Sequence, residues 1–93
     1  MLEELGAMLN FPNASRSYDA TRHCVRFWGH DGAMEVSFFV EEEAVFRIAP
    51  ATRHNEAGIL EGFDSNRDQI LKVARKIYSG RRQGSYALNA SDF

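Results

Sequence analysis

Histidine, cysteine, paired acids and clustered arginines are the side chains through which this chain could do chemistry. His23, His30 and His54 fall in different predicted elements, and none has the paired spacing of a zinc motif. His30 sits at a predicted hairpin turn and His54 in a polar loop, while His23 alternates onto an apolar strand face near its end. Cys24 is the single cysteine, so no internal disulfide or all-cysteine metal cage forms, and no redox or protease motif surrounds it. Asp64 and Asp68 fall where a helix would start if the long helical stretch breaks before Asp64, and there they cap and complement the dipole rather than share a proton. These residues make no catalytic set and imply neither metal nor cofactor.

Arginine is more informative. On one long helix from about residue 56 to 79, with about 100° between successive residues, Arg67 falls inside the apolar stripe bounded by Ile59 and Tyr78, with Asn66 at its flank. A guanidinium in that position needs a hydrogen-bonded partner. Asp19, Glu35 and Asp92 are the candidate carboxylates, so Asp19, Asn66, Arg67 and Asp92 are expected to form a buried polar network. Arg26 and Trp28 alternate onto one face of a strand, with Glu35 and Phe39 across from them, an arrangement suited to cation–π and cross-strand pairing. Arginine and aromatic residues are enriched at partner interfaces. Arg26, Trp28, Glu35 and Phe39 are therefore a candidate interaction surface, unless an N-terminal helix through Leu2, Leu5 and Leu9 folds over it. Arg75, Lys76, Arg81 and Arg82 are the one cationic concentration; they complement a helix C-terminus, and as a basic patch they could touch phosphates.

The elements that must position these groups follow from periodicity. Residues 22–28 and 33–40 are rich in β-branched and aromatic types around Gly29-His30-Asp31-Gly32, which predicts a hairpin. A two-residue turn at Asp31-Gly32 sets Phe27 against Val36, Val25 against Phe38 and His23 against Val40. Pro12, Asn13, Ser15 and Ser17 mark residues 11–19 as an irregular connection. Glu41 to Ile48 reads as a short helix ended by Pro50. Ile59, Leu60, Phe63, Ile70, Val73, Ala74, Ile77 and Tyr78 predict the long helix, with a break before Asp64 as the alternative. Tyr86 and Leu88 predict a final strand over 85–89. The fold class is α+β, a two-layer sandwich in which a small antiparallel sheet packs against the long helix and shorter helices.

Composition bounds the rest. The 93 residues suit a single domain over 1–93, and 44% hydrophobic content with 7 Phe, 3 Tyr and 1 Trp is enough for one modest core. With 11 basic and 13 acidic residues, the net charge of -2 gives no global field to draw in nucleic acid or anionic lipid. The opening residues carry Glu3 and Glu4 where a signal peptide would carry basic residues, and no apolar run approaches the roughly 20 residues that cross a bilayer. A cytoplasmic location without membrane contact is expected.

Several strings, in order, resemble a known family: Asn10-Phe11-Pro12, Tyr18-Asp19-Ala20, Val25-Arg26-Phe27-Trp28-Gly29, Glu35-Val36-Ser37-Phe38, Phe63-Asp64-Ser65-Asn66-Arg67 with Ile70 after it, Gly84-Ser85-Tyr86 and Ser91-Asp92-Phe93. Together they are similar to the bacterial family catalogued as domain of unknown function 1488, over nearly the whole chain from Asn10. The resemblance implies a small stand-alone bacterial protein of α+β type and carries over no activity, cofactor or catalytic residue. The leading functional expectation is a non-enzymatic protein-interaction module, with self-association among its modes. A small nucleic-acid-binding regulator is the alternative, followed by a small enzyme or anion-binding domain around Arg67.

Overall fold

A computed structural model describes residues 9–80 and 85–93. Five strands make one sheet: β1 (Leu9–Asn10), β2 (Arg16–Asp19), β3 (Cys24–Asp31), β4 (Met34–Glu41) and β5 (Ser85–Leu88). Between β4 and β5 run three helices, α1 (Glu42–Ile48), α2 (Glu56–Ser65) and α3 (Arg67–Gly80), and a 3₁₀ turn at Ala90–Asp92 follows β5. β3 pairs with β4 on one side and with both β1 and β2 on the other, and β5 lies beyond β4. The α+β class holds.

The hairpin turns one residue later than expected. Its loop is Gly32-Ala33, with Asp31 opposite Met34, so Phe27 faces Phe38, Val25 faces Val40 and Gly29 faces Val36. Gly32 alone of the two takes a positive φ, +63°, the pattern of a type II′ turn with glycine first. Each partner moves by two residues, and a shift of two leaves every side chain on its expected face. His23 lies outside the strand, in the turn between β2 and β3, with φ 53°.

Three other expectations are corrected. The sheet is mixed: β5 runs parallel to β4, Tyr86 beside Phe38 and Leu88 beside Val40. Three helices carry the chain back to the starting end of the sheet, and a parallel pair needs such a crossover. β2 forms from the supposed irregular connection, its polar residues held by antiparallel pairing to residues 24–27 of β3. The helical stretch is divided at Asn66 (φ -118°, ψ 22°). The Asn66 N–H donates to the Phe63 carbonyl at 3.1 Å, its side-chain amide donates to the Gly62 carbonyl at 2.9 Å, and its own carbonyl accepts from Ile70 at 3.1 Å. One residue thus closes α2 and opens α3. The expected N-terminal helix lies outside the described residues except for Leu9, which is extended, paired with Asp31 and 1% exposed.

The core sits between the inner sheet face and the helices. Val25, Phe27, Val36, Phe38, Val40, Tyr86 and Leu88 meet Ala44, Val45, Ile59, Phe63, Ile70, Leu71, Ala74 and Tyr78. Phe27 and Phe38 stack at 5.3 Å between ring centroids, and Phe38 stacks on Tyr86 at 5.4 Å. Such offset aromatic pairs contribute beyond their buried area. Gly58 and Gly62, one turn apart, let α2 lie directly on the preceding loop. A Cβ at Gly58 would stand 2.6 Å from the Arg53 carbonyl oxygen, and one at Gly62 would stand 2.8 Å from Thr52 Oγ1.

Candidate functional site

Alternation leaves the opposite face of the sheet to side chains in four rows. Asn10, His30 and Glu35 form the first, and Trp28, Ser37 and Ser85 the second. Ser17, Arg26, Phe39 and Ala87 form the third, and Asp19, Cys24 and Glu41 the last. All are half-buried or exposed except Cys24. The buried residues of the helices cluster with those of the inner face, and no described helix contributes a buried residue against this one.

Cations and aromatic planes alternate across it. The Arg22 guanidinium lies 3.9 Å from the Phe39 ring centroid, and that of Arg26 lies 4.8 Å from Trp28 and 5.9 Å from Phe39. Arg26 Nη2 donates to Ser37 Oγ at 3.2 Å, while its Nε is shielded from water and meets no acceptor among the described residues. The ring faces take the place of an oxygen partner, since their quadrupoles attract the cation. Ser17 lies on one side of the aromatic ridge and Ser37, Ser85 and Ala87 on the other, with Trp28 and Phe39 themselves half-buried. Beside Trp28 a shallow cleft of about 240 Å³ is lined by Asn13, Ser15, His30 and Glu35. Cys24 is 2% exposed, and burial pushes its thiol pKa up, which suppresses the reactive thiolate.

The structure therefore brings Arg26, Trp28 and Phe39 onto one surface. Glu35 shares it but stands opposite His30, with Ser37 opposite Trp28, as the displaced turn requires. Arg22 belongs to the row although it sits in the turn before β3. The Asp19 carboxylate shapes that turn by accepting the N–H groups of Thr21 and Arg22 at 3.0 and 3.1 Å, a local Asx turn.

The expected buried network does not form. No polar or charged residue is buried among the described residues. Asp19 serves its turn, and Asp92 accepts the Asn89 N–H at 2.8 Å in a capping box. Asn66 serves Gly62, and Arg67 donates to the Asn13 carbonyl at 2.7 Å. The break at Asn66 puts α3 out of phase with α2, so Arg67 leaves the apolar stripe and no carboxylate has to be drawn into the core. Of the basic patch, Arg75 rests 5.1 Å from the Phe11 centroid and Lys76 is exposed on α3, while Arg81 and Arg82 lie outside the described residues.

Two clusters had no sequence signal. Arg16 forms a bidentate pair with Asp64, at 2.9 and 2.7 Å, tying β2 to the end of α2. Tyr18 donates to Glu42 at 2.8 Å, and His23 Nδ1 lies 3.7 Å from the other oxygen of the same carboxylate. The left-handed backbone of His23 aims its carbonyl at the Glu42 N–H, 3.0 Å away, which satisfies a donor at the start of α1. Among the described residues no three His, Cys, Asp or Glu side chains converge as metal ligands, and no helix is long and apolar enough to cross a membrane.

No curated protein matches the chain. A solved structure from Shewanella loihica PV-4, described as a protein of unknown function from the DUF1488 family, superposes with a TM-score of 0.77 at 17% identity. The alignment covers 87% of this chain and 91% of that one, a likeness of fold. The model of the family described as protein of unknown function (DUF1488) matches residues 9–88. That match takes in all five strands and all three helices, and the chain belongs to the DUF1488 family.

Proposed function

We propose that the chain is a protein-binding module that associates with a second copy of itself through the open face of its sheet. The observation that carries this reading is the row Arg22, Phe39, Arg26, Trp28, which stands on a face against which no described helix contributes a buried residue. Tryptophan and arginine dominate binding energy where water is excluded from around them. The face is also self-complementary, as a twofold interface must be. An aromatic ridge runs beside a shelf of Ser37, Ser85 and Ala87, and Arg26 lies two rows from Glu35. A copy turned about an axis through the face sets ridge on shelf and guanidinium towards carboxylate. The cations are balanced by Asp19, Glu35 and Glu41 on the same face, a mixture that suits protein better than a polyanion.

Size sets the strength. Four strands about 4.8 Å apart and up to eight residues at about 3.4 Å each give a footprint on the order of 500 Å² per copy, at the low end for specific interfaces. Weak, concentration-dependent association follows. Trp28 is the single tryptophan, so its emission reports on this face alone. Raising the protein concentration should move the emission to shorter wavelength as water leaves the indole. Phe39→Ser should abolish the shift, and an emission maximum independent of concentration contradicts the reading.

A further inference from the structure

A second surface lies in the helical layer, away from the open sheet face. Arg67, Leu71 and Arg75 succeed one another at four-residue spacing along α3, with Asp68 and Lys72 on the adjoining row. Together with Phe11 they line a groove of about 470 Å³. Its floor is apolar: Leu71 is 6% exposed, and Phe11 packs on Phe27 and Phe38 at 6.0 and 5.8 Å. Its walls are cationic, and the two arginines are held in place. Arg67 is fixed by its bond to the Asn13 carbonyl, and Arg75 lies over the Phe11 ring. Among the described residues none of Arg67, Lys72 and Arg75 pairs with a carboxylate, whereas Arg16 is paired with Asp64. Asp68 is the one acid in the lining. In a chain whose net charge is -2, three unneutralised cations in one groove are a local reversal of sign.

We infer that this groove binds the phosphate backbone of single-stranded nucleic acid. Guanidinium groups present paired N–H donors that match phosphate oxygens, and a lysine adds a mobile point charge. From Arg67 to Arg75 the helix rises about 12 Å, with Lys72 about 7.5 Å along it, so the charges form a line and suit successive phosphates rather than one isolated anion. Because Arg67 and Arg75 are already held in place, little of their side-chain entropy is lost on binding. The floor offers no stacking platform, since Phe11 is covered by Arg75, and recognition through the backbone is therefore independent of base sequence.

Fluorescence anisotropy with a labelled twelve-nucleotide oligouridylate at about 50 mM salt tests the inference. Three phosphate contacts give a slope of about -2 in log K against log salt, which is about a twentyfold loss of affinity between 50 and 200 mM. The Lys72→Gln/Arg75→Gln variant keeps the Arg67 to Asn13 bond, and an unchanged melting transition establishes that it is folded. It should bring the slope to about -0.7, one contact remaining. A polyglutamate peptide of equal charge and inorganic triphosphate should bind at least tenfold more weakly. Absence of oligonucleotide binding at 50 mM salt, an unchanged slope in the folded double variant, or equal binding of polyglutamate or triphosphate overturns the inference.

Discussion

Gly29 shows how a single position can determine which chain segments meet. It lies on the inner face of β3 where the β1 strand and Phe11 cross, and a Cβ there would stand 2.9 Å from Phe11 Cε1, 3.0 Å from Leu9 Cδ1 and 3.1 Å from the Asn10 carbonyl oxygen. The carbonyl belongs to a paired strand and cannot swing aside. Gly29→Ala should therefore destabilise the fold by about 1–3 kcal/mol, read as a lower urea midpoint with an unchanged slope. Tyr18 gives a pH-dependent counterpart. The hydrogen bond it donates to Glu42, with burial and the carboxylate's charge adding to it, raises the phenol above its ordinary pKa. The folded state thus holds this proton more tightly than the unfolded state. The stability it contributes is complete below about pH 10, the ordinary tyrosine value, and is lost as pH rises through the folded value. Tyr18→Phe should cost about 1 kcal/mol at neutral pH, and the gap from the parent should narrow in urea titrations run above pH 10. A gap that is constant or widens there contradicts the assignment.

The helices are bounded by side chains rather than by propensity. Asn55 caps α2 by accepting the Gly58 N–H at 2.7 Å, so Asn55→Ala should cost about 1 kcal/mol and Asn55→Gly only a few tenths, measured by thermal melting. Boundaries of this kind explain what could be read from the sequence. Glu42, Glu43 and Pro50 announced α1, and strand alternation assigned Val25, Phe27, Val36, Phe38 and Val40 to the core, because a two-residue change in register preserves the faces. The same alternation placed Arg26, Trp28 and Phe39 together. Arg22 was hidden because its contact with Phe39 depends on how the Asp19 turn folds back, which no spacing encodes. The break at Asn66 was hidden because Asp64 and Ser65, two and one residues earlier, carry equally good capping chemistry. Read as one continuous helix, the stretch put Arg67 in the core and required a network that the molecule does not need. The direction of β5 depends on the path of three helices, and four residues of strand sequence carry no record of it. β2 escaped notice because its Arg-Ser-Tyr-Asp sequence lacks apolar alternation and is held by the backbone of β3.

Across the whole molecule the two layers differ in character. The sheet presents an aromatic face with mixed charge and small residues around the ridge, while α3 presents two held arginines and a lysine over an apolar floor. The arginines, Lys72, Trp28 and Phe39 of these surfaces lie outside the buried core, so substitutions at them should leave folding nearly intact while changing what the protein binds. Two copies joined through their sheets would carry two α3 grooves, and linked sites strengthen the binding of a chain long enough to reach both. Light scattering of the eluting protein, over concentrations from micromolar to millimolar, tests the association of copies through the sheet most directly. The mass should rise from the 10.5 kDa monomer towards twice that value, and the Phe39→Ser variant should stay at the monomer mass with its melting transition preserved. A monomer mass throughout, or an equal rise in parent and variant, would contradict it.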